Sequence, residues 1–288
     1  MRFTLFPVTF LILLLSCSSA SNKGARADQN IIYQPKDKEI LDQALAILKS
    51  ENYSSLEVLM VKVGTFFLET PYAEHTLEFE PEQLVINLRE MDCTTFAENC
   101  LAIARTLKSK KPGFERFIQE LRNIRYRNGV IDGYPSRLHY FSDWIYSNTE
   151  KKLVADISLE IAHTPYPLNI NFMSTHPESY KQLTDSAGFI PVIVQQEKEI
   201  SGRKMYYIPK DQIAGVEKQL TDGDIAGITT NVKGLDIQHV TILIHKGGRI
   251  HLLHGSSSAG KVVISEQTLE DYLKDNKSAT GIMVARPL

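Results

Sequence analysis

Cysteine and histidine are the residues of this chain best suited to nucleophilic chemistry. Cys93 follows Asp92, a favoured N-cap residue, so Cys93 is expected in the first turn of a helix. A thiol at a helix N-terminus lies near the positive end of the helix dipole and near free backbone N–H groups, and both favour the thiolate. Free cysteine is also among the most buried residue types, so this stretch alone fits a structural cysteine equally well.

A nucleophilic cysteine requires a base within hydrogen-bond reach and a third group that orients the base. Eight histidines are present, and four of them fall within one predicted β-hairpin. These four are His239, His245, His251 and His254. Four histidines on one hairpin also suit a metal ion, but their spacing matches no common zinc signature and no cysteine or carboxylate cluster accompanies them. We therefore predict neither a metal ion nor a cofactor.

Strand geometry selects one pair among these histidines. Residues two apart in a strand share a face, and opposed residues of an antiparallel hairpin have a constant sum of residue numbers. A two-residue turn at 246–247, with glycine second, gives a sum of 493 and places His239 opposite His254. A four-residue loop keeps this parity, whereas a three-residue turn puts the two histidines on opposite faces. His251 points away from His254 unless a bulge separates them.

The order of the predicted elements indicates an α+β fold. Helices are expected at residues 36–51, from 54 to about 67, from 93 to 104, at 114–125 and at 266–272. Strands are expected within residues 190–208 and at 239–245, 249–254, 262–264 and 282–285, with a strand or buried turn at 84–88 and a loop at 126–144. Helices followed by short strands favour N-terminal helices packed on an antiparallel sheet, with helical and loop insertions.

Composition and charge narrow the class of protein. The chain has 288 residues, of which 43% are hydrophobic and 23% charged, and this is ordinary globular composition. The formal net charge of -2 argues against nucleic acid as a partner.

The N-terminal residues resemble an export signal. Arg2 precedes an apolar stretch from residue 3 to 15, which is too short to span a bilayer comfortably. The sequence Leu-Leu-Ser-Cys ending at Cys17 resembles the lipobox of bacterial lipoproteins, where cleavage precedes a lipid-modified cysteine. We therefore predict a signal peptide at residues 1–16, a lipidated tether at 17–35 and a single catalytic domain at 36–288. The alternative is an ordinary signal peptide or membrane anchor.

The two remaining cysteines are expected to stay reduced. Cys93 and Cys100 lie seven residues apart, so on one helix they are separated by about 10 Å. This distance exceeds the reach of a disulfide. An exported protein with a free thiol requires a reason for it, and catalysis and burial are both sufficient reasons.

An ordered set of motifs resembles the NlpC/P60 superfamily of papain-like cell-wall hydrolases. The superfamily places Asp-Cys-Ser-Gly-Phe at a helix start, then a His-Val-Gly-Ile strand, then a strand that ends in histidine before a serine-rich loop. The matching segments here are Asp92-Cys93-Thr94-Thr95-Phe96, His239-Val240-Thr241-Ile242 and His254-Gly255-Ser256-Ser257-Ser258, with Thr70-Pro71-Tyr72 upstream and a turn at 220–224. Thr94-Thr95 in place of Ser-Gly, and the long insertion before His239, fit the DUF1460 amidase branch. The resemblance covers roughly residues 55–288.

This resemblance implies a papain-like core and cleavage of peptidoglycan between N-acetylmuramic acid and L-alanine. Cys93 would be the nucleophile, His239 its base and His254 the residue that orients the base. The cleft candidates are Tyr72, Asp92, Arg137 and Tyr140. For Asp92 a pure capping role, for Tyr72 simple packing, and for Arg137 a structural ion pair are equally open.

Two alternatives remain at this point. The first is an endopeptidase that cuts within the stem peptide, at L-Ala-γ-D-Glu or at γ-D-Glu-diamino acid. The second is a non-catalytic, envelope-binding lipoprotein. The expected partners are peptidoglycan or muropeptide fragments, together with a membrane reached through the lipid on Cys17. The expected location is the bacterial cell envelope, either facing the periplasm or at the surface.

Overall fold

Eleven α-helices and ten strands form in the part of the chain that the computed structural model describes, which is residues 31–49, 53 and 55–288. The helices are α1 (Pro35–Lys49), α2 (Leu56–Phe66), α3 (Cys93–Lys108), α4 (Phe114–Arg125), α5 (Phe141–Glu150), α6 (Ser158–Ala162), α7 (Phe172–Thr175), α8 (Lys181–Asp185), α9 (Ile190–Ser201), α10 (Ile213–Val216) and α11 (Leu269–Asp275). The strands are β1 (Ile31–Ile32), β2 (Leu84–Val85), β3 (Val154–Asp156), β4 (Thr164–Tyr166), β5 (Met205–Pro209), β6 (Ile225–Thr230), β7 (Ile237–Lys246), β8 (Arg249–Ser256), β9 (Lys261–Thr268) and β10 (Ala279–Pro287).

The main sheet is antiparallel throughout. Its strand order is β4-β5-β10-β6-β7-β8-β9, and β3 pairs with β10. The short strands β1 and β2 form a separate parallel pair. The expectation of a mixed fold with helices and an antiparallel sheet is therefore confirmed.

Helix α3 lies at the centre of the helical layer. It packs against α2 and α4 on one side and against β7 and β8 on the other. Every residue from Thr95 to Ala104 is buried, whereas the sequence periodicity predicts only one buried stripe. Its one buried acidic residue, Glu98, accepts a hydrogen bond of 2.6 Å from Arg125 on α4, so the buried charge is paired.

Two predicted segments differ from the structure. Residues 190–208 form helix α9 before the short strand β5, because Pro191 in the first turn and the helix-forming residues 195–199 outweigh the β-branched residues at its start. The predicted loop at 126–144 ends early, since α5 begins at Phe141. The carboxylate of Asp236 accepts the backbone N–H of Ser142 at 2.7 Å and so caps α5 from a distant part of the chain.

The long insertion between α3 and β7 forms a small core of its own. This core contains Tyr134, Tyr140, Ile170, Met173, Leu183, Ile193 and Ile200. The cluster stands beside β7 and supplies one wall of the cavity described below. Among the described residues no helix has the length and apolar character needed to cross a membrane. Cys17 and the predicted signal peptide lie outside these residues.

Candidate active site

Cys93 is the first residue of α3 and is half-buried, while Cys100 is fully buried, and both are free thiols. Asp92 caps the helix as predicted. Its Oδ1 accepts the Thr95 N–H at 2.7 Å, and its own N–H donates to the Thr95 hydroxyl at 3.0 Å. This capping box fixes the first turn and therefore the direction of the Cys93 side chain.

Gly255 allows the N-terminus of α3 to lie directly against β8. A Cβ atom at this position would lie 3.0 Å from the Asp92 carbonyl oxygen. Any larger residue would therefore push the start of α3 away from the strand. This close approach brings the first turn of α3 next to the part of β8 that carries His254.

The β7–β8 hairpin has a register that differs from the expected one. Lys246 pairs with Arg249, so the sum of paired residue numbers is 495 and the turn is Gly247-Gly248. Both glycines have positive φ, of 63° and 81°, as a type I′ turn requires at its two central positions. A turn at 246–247 would instead require positive φ at Lys246, which a lysine disfavours. The prediction that His239 lies directly opposite His254 is therefore wrong, because the sum is larger than expected by two. Since both sums are odd, the two histidines still lie on the same face, as predicted.

His239 and His254 still meet on one face of the hairpin, as diagonal neighbours. The two ring nitrogens, His239 Nε2 and His254 Nδ1, lie 2.6 Å apart, and the ring planes are at 85°. His251 takes no part in this pair, because its Nδ1 lies 3.0 Å from the Ser265 carbonyl oxygen. The structure therefore brings together the two histidines selected from the strand pattern.

A cavity of about 220 Å³ opens beside the thiol. Cys93 and His239 both line it, and so does Tyr140 among the predicted cleft residues. The complete lining is Cys93, Thr94, His139, Tyr140, Met173, Tyr180, Leu235, Asp236, Ile237, Gln238, His239 and Val240. One wall thus comes from α3 and β7, and the other comes from the insertion.

The resting site carries a neutral thiol and a neutral imidazole. Burial, and next the Asp92 carboxylate, raise the pKa of Cys93 to about 11, although backbone N–H groups of Val240 and Thr94 act in the opposite direction. Burial, and next His254, lower the pKa of His239 to about 3. The loss of solvation therefore raises the pKa of the thiol by more than the helix dipole lowers it, and the expected thiolate does not form. A neutral thiol can act as a nucleophile only if it transfers its proton to an adjacent base.

Tyr72 and Tyr140 differ in how their hydroxyl groups are used. Tyr72 is half-buried near Cys93, and its hydroxyl donates to Glu74 at 3.1 Å. The Tyr140 hydroxyl is buried and donates to Glu197 at 2.7 Å, so only its ring faces the cavity. Tyr140 therefore shapes the wall, whereas Tyr72 stays near the thiol as a candidate for substrate contact.

Arg137 is a structural residue and not a cleft residue. Its guanidinium forms hydrogen bonds to both oxygens of buried Glu82, at 3.0 and 2.7 Å, and to Glu78 at 2.9 Å. The sequence left a cleft role and a structural ion pair open for Arg137, and the structure shows the ion pair, because Glu82 occupies the guanidinium edge that a substrate carboxylate would need. The guanidinium also lies over the Tyr134 ring, at 5.1 Å from its centroid, and so supports the wall from behind.

Two tyrosines that no sequence motif indicates also lie at the site. The ring of Tyr272, on α11, lies 6.3 Å from each imidazole of the pair. Tyr180 lines the cavity, and burial raises the pKa of its hydroxyl to about 12. Tyr180 belongs to a stretch without clear periodicity, so only the fold brings it to the site. In the described part of the chain, no three His, Cys, Asp or Glu side chains are grouped to hold a metal ion.

The chain matches the model of a known protein family. A family model described as AmiA-like, N-acetylmuramoyl-L-alanine amidase-like, matches residues 62–282. The chain belongs to this family of amidase-like hydrolases. A search of curated proteins gave no significant match.

Several solved structures are similar to this chain. An N-acetylmuramoyl-L-alanine amidase from Bacteroides uniformis is 40% identical, with a TM-score of 0.78 over 81% of this chain and 98% of that chain. A Bacteroides fragilis protein named as a candidate xylanase is 43% identical, with a TM-score of 0.75 over 78% of this chain and 99% of that one. A Legionella pneumophila protein of the DUF1460 family is 21% identical, with a TM-score of 0.68 over 88% and 95%, and shows the fold alone.

Proposed function

We propose that this protein is a cysteine-dependent N-acetylmuramoyl-L-alanine amidase that acts on peptidoglycan or its muropeptide fragments. The observation that carries the proposal is that Cys93 and His239 line one cavity while His254 contacts His239 at 2.6 Å. A nucleophile, a base and a group that orients the base are the parts that acyl transfer requires. Family membership supports the choice of bond.

The reaction follows from these positions. The Cys93 thiol attacks the lactyl carbonyl carbon and its proton passes to His239, which then protonates the departing L-alanine amine. The product of this step is a thioester between Cys93 and the lactyl group of muramic acid. Water, deprotonated by His239, hydrolyses the thioester and restores the thiol. His254 keeps His239 in the required tautomer throughout.

Backbone N–H groups are available for the developing oxyanion. Cys93 is the first residue of α3, and the first N–H groups of a helix have no partner within the helix. These groups also point along the positive end of the helix dipole. The Cys93 N–H is therefore suited to stabilise the tetrahedral intermediate.

The order of the motifs supports a papain-like NlpC/P60 core, and the insertion favours amidase over endopeptidase specificity. Tyr140, Met173 and Tyr180 from the insertion face the thiol across the cavity. Aromatic and apolar side chains beside polar groups suit a sugar ring with a lactyl group. We therefore expect muramic acid, and not only the stem peptide, to contribute to binding.

A glycosidase reaction, as the name of the B. fragilis relative suggests, fits the cavity poorly. Glycoside hydrolysis generally uses two carboxylates that flank the bond. Among the lining residues of the described cavity only Asp236 is acidic, and its two oxygens accept backbone N–H groups of Ser142 and Ile237 at 2.7 and 2.8 Å. The cavity therefore favours thiol chemistry. A purely binding lipoprotein would have no need of the paired histidines.

The proposed location is the bacterial cell envelope, with the mature chain anchored through lipid on Cys17. The lipobox-like sequence supports this location.

A defined muropeptide set distinguishes the activities. Mass spectrometry of digests of N-acetylmuramoyl-peptides should show free stem peptide with an L-alanine amine and an intact muramic acid carboxylate. Stem peptides without muramic acid should be poor substrates. Efficient cleavage of such free peptides at L-Ala-γ-D-Glu would contradict the amidase assignment and support the endopeptidase.

A further inference from the structure

The C-terminal end of α3 borders a surface groove that is rich in cations. Two adjoining cavities of about 430 and 670 Å³ share Lys108, Ser109 and Arg116. The cations that line them are Arg105, Lys108, Lys110, Lys111 and Arg116, and we call this surface the basic groove. The acidic side chains that line it are Glu115 and Glu120. A local positive charge therefore stands out on a chain whose net charge is -2.

Part of this charge has a structural role and part does not. Arg105 and Arg116 both form ion pairs with Glu120, and cations in the last turn of α3 stabilise the helix dipole. Lys110 and Lys111 lie beyond the last residue of α3 and are exposed. Neither ion pairing with Glu120 nor stabilisation of the helix dipole accounts for these two lysines, whose charges face the solvent.

The basic groove lies far from the catalytic cavity. Cys93 and Lys108 are the first and last residues of α3, so fifteen residue steps separate them. At a rise of about 1.5 Å per residue, the thiol and the groove lie about 22 Å apart along one helix axis. A partner bound at the groove therefore leaves the catalytic cavity open.

The first described residues of the chain lie beside the groove. The ring of Tyr33 lies 4.8 Å from that of Phe114, the first residue of α4. Phe114 follows Lys111 by three residues, which limits their separation to about 10 Å. Cys17 precedes Ile31 by fourteen residues, a covalent reach of at most about 50 Å. A lipid on Cys17 would therefore keep this side of the protein within reach of a bilayer.

We propose that the basic groove docks on an anionic phospholipid surface, with the catalytic cavity directed away from the lipid. Phosphate-bearing headgroups complement exposed lysines, and their attraction adds to that of a lipid anchor. Helix α3 then holds the thiol at a fixed height above the membrane, where cell-wall material is accessible. The inference rests on charge and position and not on the reaction that the site catalyses.

Vesicle binding tests the proposal. The chain from residue 17 onward with Cys17→Ala, which has no lipid, should sediment with vesicles that contain phosphatidylglycerol and not with vesicles of phosphatidylcholine alone. Raising the ionic strength should weaken this binding. Lys110→Glu with Lys111→Glu should lower the partition coefficient by at least about 30-fold. Lys233→Glu with Lys277→Glu, a matched exposed pair outside the groove, should leave it within about twofold.

Two further measurements separate docking from folding and from catalysis. Hydrolysis of a soluble muropeptide should be unchanged in the Lys110 and Lys111 variant, because the groove is remote from Cys93. The rate of Cys93 alkylation should be the same with and without vesicles, because the cavity faces away from the lipid. The proposal is overturned by equal binding to both vesicle types, by no binding, by equal loss in both charge variants, or by protection of Cys93.

Discussion

His239 Nε2 and His254 Nδ1 lie 2.6 Å apart, and this contact determines which nitrogen of His239 can act as a base. Since Nε2 is engaged by His254, only Nδ1 of His239 remains to take the thiol proton in the proposed reaction. A neutral His239 with a free Nδ1 lone pair carries its hydrogen on Nε2 and donates it to His254. His254 must then accept at Nδ1 and carry its own hydrogen on Nε2.

Substitution of His254 should reduce turnover more than binding. His254→Ala removes the acceptor that holds the His239 tautomer, so kcat should fall by about 10²-fold or more while KM changes little. His254→Gln supplies a carbonyl acceptor and should restore part of the activity. Steady-state kinetics on one muropeptide measure both. His251→Ala is the control, and a loss of kcat there as large as in His254→Ala would remove the special role of His254.

Acid should destabilise the folded protein through the same pair. Burial, and for His239 also His254, lower the two pKa values to about 3 and about 4, from 6.5 in the unfolded chain. Between pH 6.5 and 4 the unfolded chain binds protons that the folded protein does not bind. The free energy of unfolding is therefore complete above pH 6.5 and falls as the pH decreases, by at most about 1.4 kcal/mol per pH unit for each histidine.

Urea unfolding at pH 7, 6 and 5 measures this slope. His254→Gln should make the slope shallower. His75→Gln changes an exposed histidine and should leave the slope as it is in the unmodified protein. If His254→Gln and the unmodified protein lose stability in parallel, the buried neutral pair is not the source of the acid sensitivity.

Arg137→Met should affect stability and not substrate binding. The substitution leaves the carboxylate of Glu82 buried without its cationic partner, although the Tyr126 hydroxyl still donates to it, and this loss costs about 3–5 kcal/mol. Adding Glu82→Gln should recover part of this loss, because the uncompensated charge is removed. Chemical denaturation of the single and double variants measures the effect, with KM determined where each variant is folded. A large rise in KM without loss of stability would instead restore the cleft role for Arg137.

Cys17→Ala in the full chain should release the protein from the membrane fraction at high ionic strength. Lipid on Cys17 is the proposed permanent anchor, whereas the basic groove alone gives binding that salt reverses. Cell fractionation followed by a high-salt wash measures the difference. Retention of the variant in washed membranes after signal cleavage would show that the lipoprotein assignment is wrong.

Local patterns predicted much of the site, and long-range contacts determined the rest. The capping sequence identifies Asp92 and the start of α3, and strand parity brings His239 and His254 to one face. The predicted turn at 246–247 lies one residue too early, because both central positions of the turn require positive φ, which Gly247 and Gly248 adopt more easily than Lys246. The positions of Tyr180 and Tyr272 depend on packing of the insertion and of α11, which no local periodicity encodes.

The ionisation of Cys93 also depends on tertiary structure. The position of Cys93 at a helix N-terminus can be predicted from the sequence, but the burial that raises the pKa of its thiol to about 11 cannot. The same holds for Arg137, whose partner Glu82 lies 55 positions away in the chain. Residue type and spacing therefore predict which side chains could take part in catalysis or binding. Packing determines which of these side chains are ionised and which are already bound to other residues.

Capture of the covalent intermediate tests the central claim most directly. Rapid acid quenching of the enzyme with an N-acetylmuramoyl-dipeptide, followed by peptide mapping, should reveal an N-acetylmuramoyl thioester on Cys93. Cys93→Ala should form neither the adduct nor free peptide and should remain folded, while Cys100→Ala should keep both and lose about 1 kcal/mol of stability. Turnover by Cys93→Ala near the rate of the unmodified protein, or an adduct on a different residue, would contradict the assignment of Cys93 as the nucleophile.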